Sequence, residues 1–125
     1  MRNKKNGTIL IVDDEPLILH HIKEILTPQG YQILVANSGR EALNLCEIAE
    51  NRVDLLLTDV FMPGMKGNQL AKIFKTRIPG AKILYMSGYM CPAIPEEEQR
   101  DRLTSFIQKP ITPNALSRKI KELLS

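Results

Sequence analysis

The sequence of 125 residues contains few cysteines and no long apolar segment. Its two cysteines, Cys46 and Cys91, stand 45 positions apart, outside any CxxC motif and without a histidine pair at zinc-ligand spacing. This pattern argues against a zinc site or a dithiol redox motif and predicts two reduced thiols. No apolar run reaches the roughly 18 residues that cross a bilayer, and the N-terminus lacks the apolar block of a signal peptide. We therefore expect a cytoplasmic protein without membrane insertion.

The basic residues do not form a cluster, although the formal net charge is +3 and the pI is near 9. The densest basic group lies at the N-terminus, where we interpret residues 1–7 as a flexible tail rather than as a nucleic-acid contact. Apolar residues make up 43% and charged residues 25% of the chain, as in ordinary globular proteins. The length suits one hydrophobic core, so residues 1–125 are predicted to form a single domain.

Short apolar runs alternate with helical patterns along the whole chain. The runs predict five buried strands, at Thr8 to Val12, Tyr31 to Ala36, Asp54 to Thr58, Ala81 to Met86 and Leu103 to Gln108. Apolar residues at helical spacing, together with capping residues, predict five helices: from Pro16, from Ser38, around Leu70 to Arg77, from near Pro95 and from Thr112. Five alternating pairs joined by short loops predict an α/β fold with a doubly wound, five-stranded parallel sheet in a three-layer α/β/α sandwich.

Acidic, hydroxyl and basic residues follow the predicted strands at Asp13, Asp14, Asp59, Ser87 and Lys109. The functional crevice of such a sheet lies at the carboxyl ends of its strands, so we expect these residues to meet there. Three converging carboxylates repel one another unless a cation is present, and Mg²⁺, with Mn²⁺ as an alternative, suits an all-oxygen site. A simpler interpretation is that Asp13 and Asp14 only cap the first helix, which leaves Asp59 unexplained.

The chemistry that this set suits is phosphoryl transfer to Asp59. A carboxylate can attack phosphorus to give an acyl phosphate, and a metal ion neutralises charge on the incoming oxygens. Ser87 can donate a hydrogen bond to a phosphoryl oxygen, and the ammonium group of Lys109 can pair with another. We therefore interpret Asp59 as the phosphoacceptor of a signalling switch, not as a residue of an enzyme for small metabolites.

Four motifs extend this interpretation to a family. They are IVDDEP from Ile11, TDVFMPGMKG from Thr58, MSGY from Met86 and FIQKP from Phe106. In their order, and in the intervals of 45, 28 and 22 residues that separate Asp14, Asp59, Ser87 and Lys109, the chain resembles the receiver domain of two-component response regulators. The resemblance covers nearly the full length and implies a flavodoxin-like fold of the receiver type.

The resemblance also implies partners and roles. The phosphoryl donor would be a phosphohistidine on a sensor histidine kinase or a histidine phosphotransfer protein. Asp14 would ligate Mg²⁺ directly, Asp13 would act largely through water, and the backbone carbonyl of Phe61 would be a further ligand beside Asp59. Ser87 and Lys109 would contact the phosphoryl group.

Three aromatic residues receive expected roles from the same resemblance. Phe106 would swing inward when Ser87 moves toward the phosphoryl group, which would switch the surface near the last two strands and helices. It stands where many members have tyrosine, so its switch would depend on burial of the ring. Phe61 and Tyr89 would border the path of hydrolytic water, and their bulk predicts slow self-dephosphorylation.

Two other functions compete with this one. A magnesium-dependent aspartyl phosphohydrolase normally has a second aspartate two residues after its nucleophile, and Phe61 occupies that position here. A degenerate receiver that only mediates protein contacts would have lost an acid or Lys109, and the sequence retains all of them. The MSGY motif favours the receiver module of a hybrid sensor kinase, acting on a kinase module in cis, while a free-standing receiver with a downstream protein partner fits the residues nearly as well.

Overall fold

The computed structural model describes residues 6–88 and 101–125. Five strands form one parallel sheet in the order β2-β1-β3-β4-β5, with the bounds β1 Thr8–Val12, β2 Gln32–Ala36, β3 Leu55–Asp59, β4 Lys82–Ser87 and β5 Thr104–Gln108. The described ranges contain four α-helices, with the bounds α1 Pro16–Leu26, α2 Gly39–Ile48, α3 Gly67–Arg77 and α4 Pro113–Leu124. A 3₁₀ turn, Thr27–Gln29, follows α1. The helix predicted to begin near Pro95 lies outside the described residues.

Helices cover both faces of the sheet because side chains alternate along each strand. All five residues of β1 are buried. Leu10 and Val12 belong to one core cluster, which includes Phe74 of α3, while Ile9 and Ile11 belong to a second cluster that contains residues of α1 and α4. A strand buried on both faces reads as a continuous apolar run, which is what the sequence contains. The predicted doubly wound α/β/α sandwich is thus confirmed.

The helix-start signals act largely as predicted. Ser38 is the N-cap of α2, and its side chain accepts a hydrogen bond from the backbone of Glu41 at 3.1 Å. The carboxylate of Glu41 turns back to the backbone N–H of Asn37, one residue before the cap, at 2.6 Å. Thr112 caps α4 in the same way, with Pro113 in the first turn. These caps set where two helices leave the sheet.

Two strands extend one residue further than their apolar runs. Asp59 pairs with Met86 in the ladder between β3 and β4, and Ser87 pairs with Gln108 between β4 and β5. Ladder bonds come from backbone groups, so a polar side chain can occupy the last strand position. Both residues therefore project from the ordered end of the sheet rather than from a loop.

The residues before β1 also contact the sheet. Of the segment 1–7, only residues 6 and 7 are described, and the carbonyl of Gly7 accepts a hydrogen bond from the backbone N–H of Gln32 at 2.9 Å. This bond continues the pairing of β1 with β2 by one step.

Within 6–88 and 101–125, none of the helices is both long and apolar enough to span a bilayer.

Candidate functional site

The site lies where the order of the strands reverses, at the carboxyl ends of β1 and β3. Asp13 and Asp14 directly follow β1, and Asp59 is the last residue of β3. One carboxylate oxygen from each acid lies within 4.8 Å of those of the other two. Asp13 is fully buried, Asp59 is 7% exposed and Asp14 is exposed. The structure therefore brings the three predicted acids together, with one of them facing solvent.

Asp13 uses its two oxygens for different contacts. Its Oδ1 accepts a hydrogen bond from the backbone N–H of Glu15 at 2.9 Å, while its Oδ2 accepts one from Lys109 Nζ at 3.1 Å. Glu15 is the N-cap of α1 and provides no side-chain cap. Asp13 therefore does not cap α1 itself, and one of its oxygens instead holds the turn that leads into the helix. The other oxygen faces the cluster.

Lys109 joins the acids of the two strands. Its Nζ lies 3.1 Å from Asp13 Oδ2 and 3.3 Å from Asp59 Oδ1. The backbone N–H of Lys109 donates to the carbonyl of Ser87 at 2.8 Å, and the peptide bond between Lys109 and Pro110 is cis. On the far side of this turn, a ring nitrogen of His21 lies 3.2 Å from the carbonyl oxygen of Ile111, so α1 contacts the loop that carries the lysine.

The electrostatics of the cluster follow from its burial. Burial raises the pKa of Asp59, the charge of Lys109 opposes this, and the neighbouring Asp13 and Asp14 raise the pKa further. For Lys109, burial alone would lower the pKa, but the carboxylates of Asp13 and Asp59 outweigh it and hold the pKa above its usual value. One ammonium group therefore compensates three carboxylates only in part, and the site attracts additional positive charge.

The donor set fits a hard divalent cation. All three side chains offer carboxylate oxygens, the ligands that Mg²⁺ and Mn²⁺ prefer, and the set contains no thiolate or imidazole. Exposed Asp14 leaves one side open to water, which suits a cation that keeps several water ligands. The residues present therefore fit Mg²⁺.

The backbone beside Asp59 is held by contacts that the sequence pattern did not reveal. The hydroxyl of Thr58 donates to the carbonyl of Asp59 at 3.0 Å, and the backbone N–H of Val60 donates to the carbonyl of Met86 at 3.1 Å. The first residue of α3, Gly67, donates its N–H to the carbonyl of Val60 at 2.9 Å. A Cβ at this glycine would collide with the carbonyl oxygen of Asp59. In the sequence Gly67 is the last residue of the TDVFMPGMKG motif, and nothing in that motif indicates these contacts.

The remaining predicted residues lie on β4, on β5 and in the β3–α3 loop. Ser87 is buried at the end of β4, next to the Lys109 turn. The ring of Phe106 is half-buried and stacks on Tyr85, its neighbour across the ladder, with centroids 5.6 Å apart and an interplanar angle of 22°. Phe61 is 42% exposed beside the site. Tyr89 lies outside the described residues.

Comparisons with known proteins agree with this architecture. The protein-family model for the response regulator receiver domain matches residues 9–121 of this chain. Sensor kinase CckA of Brucella abortus is 32% identical over 95% of this chain, and sensor histidine kinase RcsC of Escherichia coli is 37% identical over 83%. The chain spans 13% and 11% of the length of these two relatives, respectively. It therefore corresponds to one module of each.

Solved structures give the same result. The receiver domain of the hybrid histidine kinase CckA superposes with a TM-score of 0.81 at 32% identity, covering 95% of this chain and all of that one. Response regulator TrrA of Thermotoga maritima, solved in complex with Mg²⁺ and BeF, gives a TM-score of 0.78 at 31% identity, covering 94% of this chain and 99% of that one. With the family model spanning nearly the whole sequence, this chain belongs to the response regulator receiver domains of two-component signalling.

Proposed function

We propose that the domain receives a phosphoryl group on Asp59 from a phosphohistidine of a sensor histidine kinase or a histidine phosphotransfer protein, with Mg²⁺ as cofactor. The observation that carries this proposal is the surroundings of the Asp59 carboxylate. One oxygen lies 3.3 Å from Lys109 Nζ, and the carboxylates of Asp13 and Asp14 are close enough to share a cation with it. The group proposed as nucleophile, the cationic group and the carboxylates suited to a metal ion thus lie together at the carboxyl ends of the strands.

The transfer itself requires an ionised Asp59. One of its oxygens forms a bond to phosphorus while the phosphorus–nitrogen bond of the donor histidine breaks, and the electron pair stays on the imidazole nitrogen, which takes up a proton from water. Lys109 favours the ionised carboxylate against the effect of burial. After the transfer, its ammonium group and the Ser87 hydroxyl contact phosphoryl oxygens.

The metal ion would be held by Asp14 directly, by Asp13 through water, and by the carboxylate of Asp59 and the backbone carbonyl of Phe61. When bound, Mg²⁺ supplies neutralisation of the charge on the phosphoryl oxygens. Asp13 has a second task, since its Oδ1 fastens the turn into α1 while Oδ2 faces the cluster. Its burial keeps that oxygen in one position.

The signal would leave the site through β4 and β5. Ser87 moves toward the phosphoryl group, and the Phe106 ring swings inward into the space that Ser87 vacates, changing the surface formed by the last two strands and helices. A downstream protein partner, or a kinase module of the same polypeptide, reads this surface. The similarity to the receiver modules of CckA and RcsC favours the second arrangement.

Incubation with acetyl phosphate and Mg²⁺ tests the proposal, with the product followed by intact mass and peptide mapping. We expect one phosphoryl group on Asp59, dependent on Mg²⁺ and absent from Asp59→Asn. Asp54→Asn is a matched control, because Asp54 lies at the opposite end of β3 and accepts a hydrogen bond from the backbone N–H of Thr8. This variant should be phosphorylated like the parent.

Each competing function predicts a different result. A degenerate receiver would remain folded, as judged by amide NMR, and would take up neither phosphate nor beryllofluoride. An aspartyl phosphohydrolase would release phosphate steadily from a range of phosphate esters. Modification at another residue, or incorporation without Mg²⁺, would overturn the proposed chemistry.

A further inference from the structure

Gly39, the first residue of α2, lies against a side chain of the β3–α3 loop. A Cβ placed on Gly39 would be 2.7 Å from Met65 Sδ, 3.0 Å from Met65 Cβ and 3.1 Å from Met65 Cγ. Gly39 is not among the glycines with positive φ, so its backbone conformation does not require glycine. Alanine is also the better helix former. The glycine is explained by the space that Met65 occupies.

The contact cannot be relieved by the side chain of Met65 alone. The sulfur can rotate away, because it lies near the end of a flexible chain. The Cβ of Met65 is bonded directly to the loop backbone, and a methyl group 3.0 Å away is closer than the roughly 3.5–4.0 Å of an ordinary carbon contact. A methyl group at Gly39 therefore displaces the loop backbone by a few tenths of an ångström.

The loop that carries Met65 adjoins the backbone of Asp59. Met65 packs against the core cluster that contains Val60 and Met62, and it stands two residues before Gly67. Gly67 closes the loop by donating to the carbonyl of Val60 at 2.9 Å, and it lies directly on the carbonyl of Asp59. The segment 60–67 is thus anchored at Val60 by backbone hydrogen bonds with Met86 and Gly67, and near its other end Met65 contacts Gly39.

We propose that Gly39 is a positioning residue for phosphoryl transfer, which seats Met65 and thereby holds the loop that carries the Phe61 carbonyl and adjoins Asp59. This inference rests on the proposed function, since it concerns the geometry of the same reaction. Gly39 contacts neither the phosphoryl group nor the metal, and it acts through Met65. Small misplacements of reacting groups cost rate steeply, on the order of a hundredfold per ångström.

The test is a double-mutant cycle of Gly39→Ala and Met65→Ala. Two quantities are measured for each variant: the initial rate of Asp59 phosphorylation by acetyl phosphate, and Mg²⁺ affinity from amide NMR titration without phosphodonor. Gly39→Ala should slow phosphorylation about three- to fivefold and weaken Mg²⁺ binding. In the Met65→Ala background, where the methyl group has room, the same change should alter the rate by less than about twofold.

A matched control separates positioning from a weakened helix. Ser38→Ala removes the oxygen that accepts the backbone N–H of Glu41 and so weakens the start of α2, but it adds no atom near Met65. Its phosphorylation rate and Mg²⁺ affinity should equal those of the parent, while its midpoint of urea unfolding falls. Equal losses in Ser38→Ala and Gly39→Ala would overturn the inference.

The outcomes distinguish this inference from the proposed function. If the parent chain does not take up phosphate, the proposed function fails. The Mg²⁺ titration still tests whether the contact between Gly39 and Met65 positions the loop. If the parent is phosphorylated and Gly39→Ala reacts at the same rate, only the inference fails. If Gly39→Ala does not fold, Met65→Ala alone serves as the test. It removes the side chain that contacts Gly39 without introducing a clash, so it should slow phosphorylation. An unchanged rate in Met65→Ala would overturn the inference.

Discussion

Lys109 provides the sharpest test of the electrostatics, because it is the cation in contact with two buried acids. Replacing it with methionine keeps most of the aliphatic stem and removes the charge. Its Nζ lies 3.1 Å from Asp13 Oδ2 and 3.3 Å from Asp59 Oδ1, and these acids are 0% and 7% exposed. The substitution leaves both carboxylates buried without their ammonium partner, so we expect the metal-free protein to lose stability.

The size of the loss follows from the burial of the three groups. Removing one member of a buried ion pair costs about 3–5 kcal/mol. The side chain of Lys109 is 22% exposed, so water screens part of the interaction, and we expect a loss of about 2 kcal/mol in the free energy of unfolding. For a domain of this length, about 2 kcal/mol corresponds to a fall in Tm of roughly 8 °C.

Urea unfolding, followed by circular dichroism in EDTA and in Mg²⁺, measures the effect. Because the pKa of Lys109 is raised, its stabilising contribution is fully present at pH 7 and is lost only as the pH rises through the raised folded-state pKa. We expect Mg²⁺ to stabilise Lys109→Met more than it stabilises the parent, since the ion supplies the missing positive charge.

Lys119→Met is the matched control, because Lys119 Nζ contacts the hydroxyl of Ser105 at 3.4 Å rather than a carboxylate. Its unfolding free energy should change by less than about 0.5 kcal/mol. Two results would refute the reasoning: a metal-free Lys109→Met as stable as the parent, or an equal gain from Mg²⁺ in both proteins.

Three further predictions concern other parts of the chain. The backbone N–H of Leu103 holds the pKa of Asp101 below its usual value, so this acid stabilises the fold above about pH 4 and loses that effect as the pH falls through its folded-state pKa. Asp101→Asn should cost about 0.5–1 kcal/mol at pH 7 and less at pH 3 by urea unfolding; an equal cost at both would contradict this. Phe106→Leu removes the aromatic stack on β4 and should cost about 1 kcal/mol in the same assay, and no loss would mean that the stack contributes nothing. Phe61→Ala combined with Tyr89→Ala should shorten the lifetime of the acyl phosphate, measured by phosphate release, because smaller side chains open the path of hydrolytic water. An unchanged lifetime would mean that these two side chains do not exclude water from the acyl phosphate.

Local patterns were sufficient for most of the elements. The run at Thr8 to Val12 matches β1, and Ser38 and Thr112 cap the helices that they were predicted to begin. Their signals depend on groups close together in sequence, whether as a buried apolar run or as a side chain that accepts the N–H three residues later. The ends of β3 and β4 were each placed one residue short, because the last rung is made by backbone bonds to another strand.

In the candidate site, the identity of the acids could be predicted from the sequence, whereas their contacts could not. Asp13, Asp14 and Asp59 could be chosen from sequence because each follows an apolar strand, and parallel strands deliver their carboxyl ends to one edge. The sequence could not assign the second oxygen of Asp13 to Lys109, 96 residues away, since that contact depends on how the fold places the turn after β5 beside the end of β1.

The steric contacts of two glycines could not be predicted from the sequence. Gly39 and Gly67 are each the first residue of a helix, and neither has the positive φ that explains glycine in a turn. Their reasons are steric contacts with Met65 and with the carbonyl of Asp59. The chain's own pattern determined the fold class, the acids and the lysine, because periodicity and strand ends are local properties. Only the tertiary structure decided which small residues hold the reactive loop, because close contacts between distant segments leave no periodic signal.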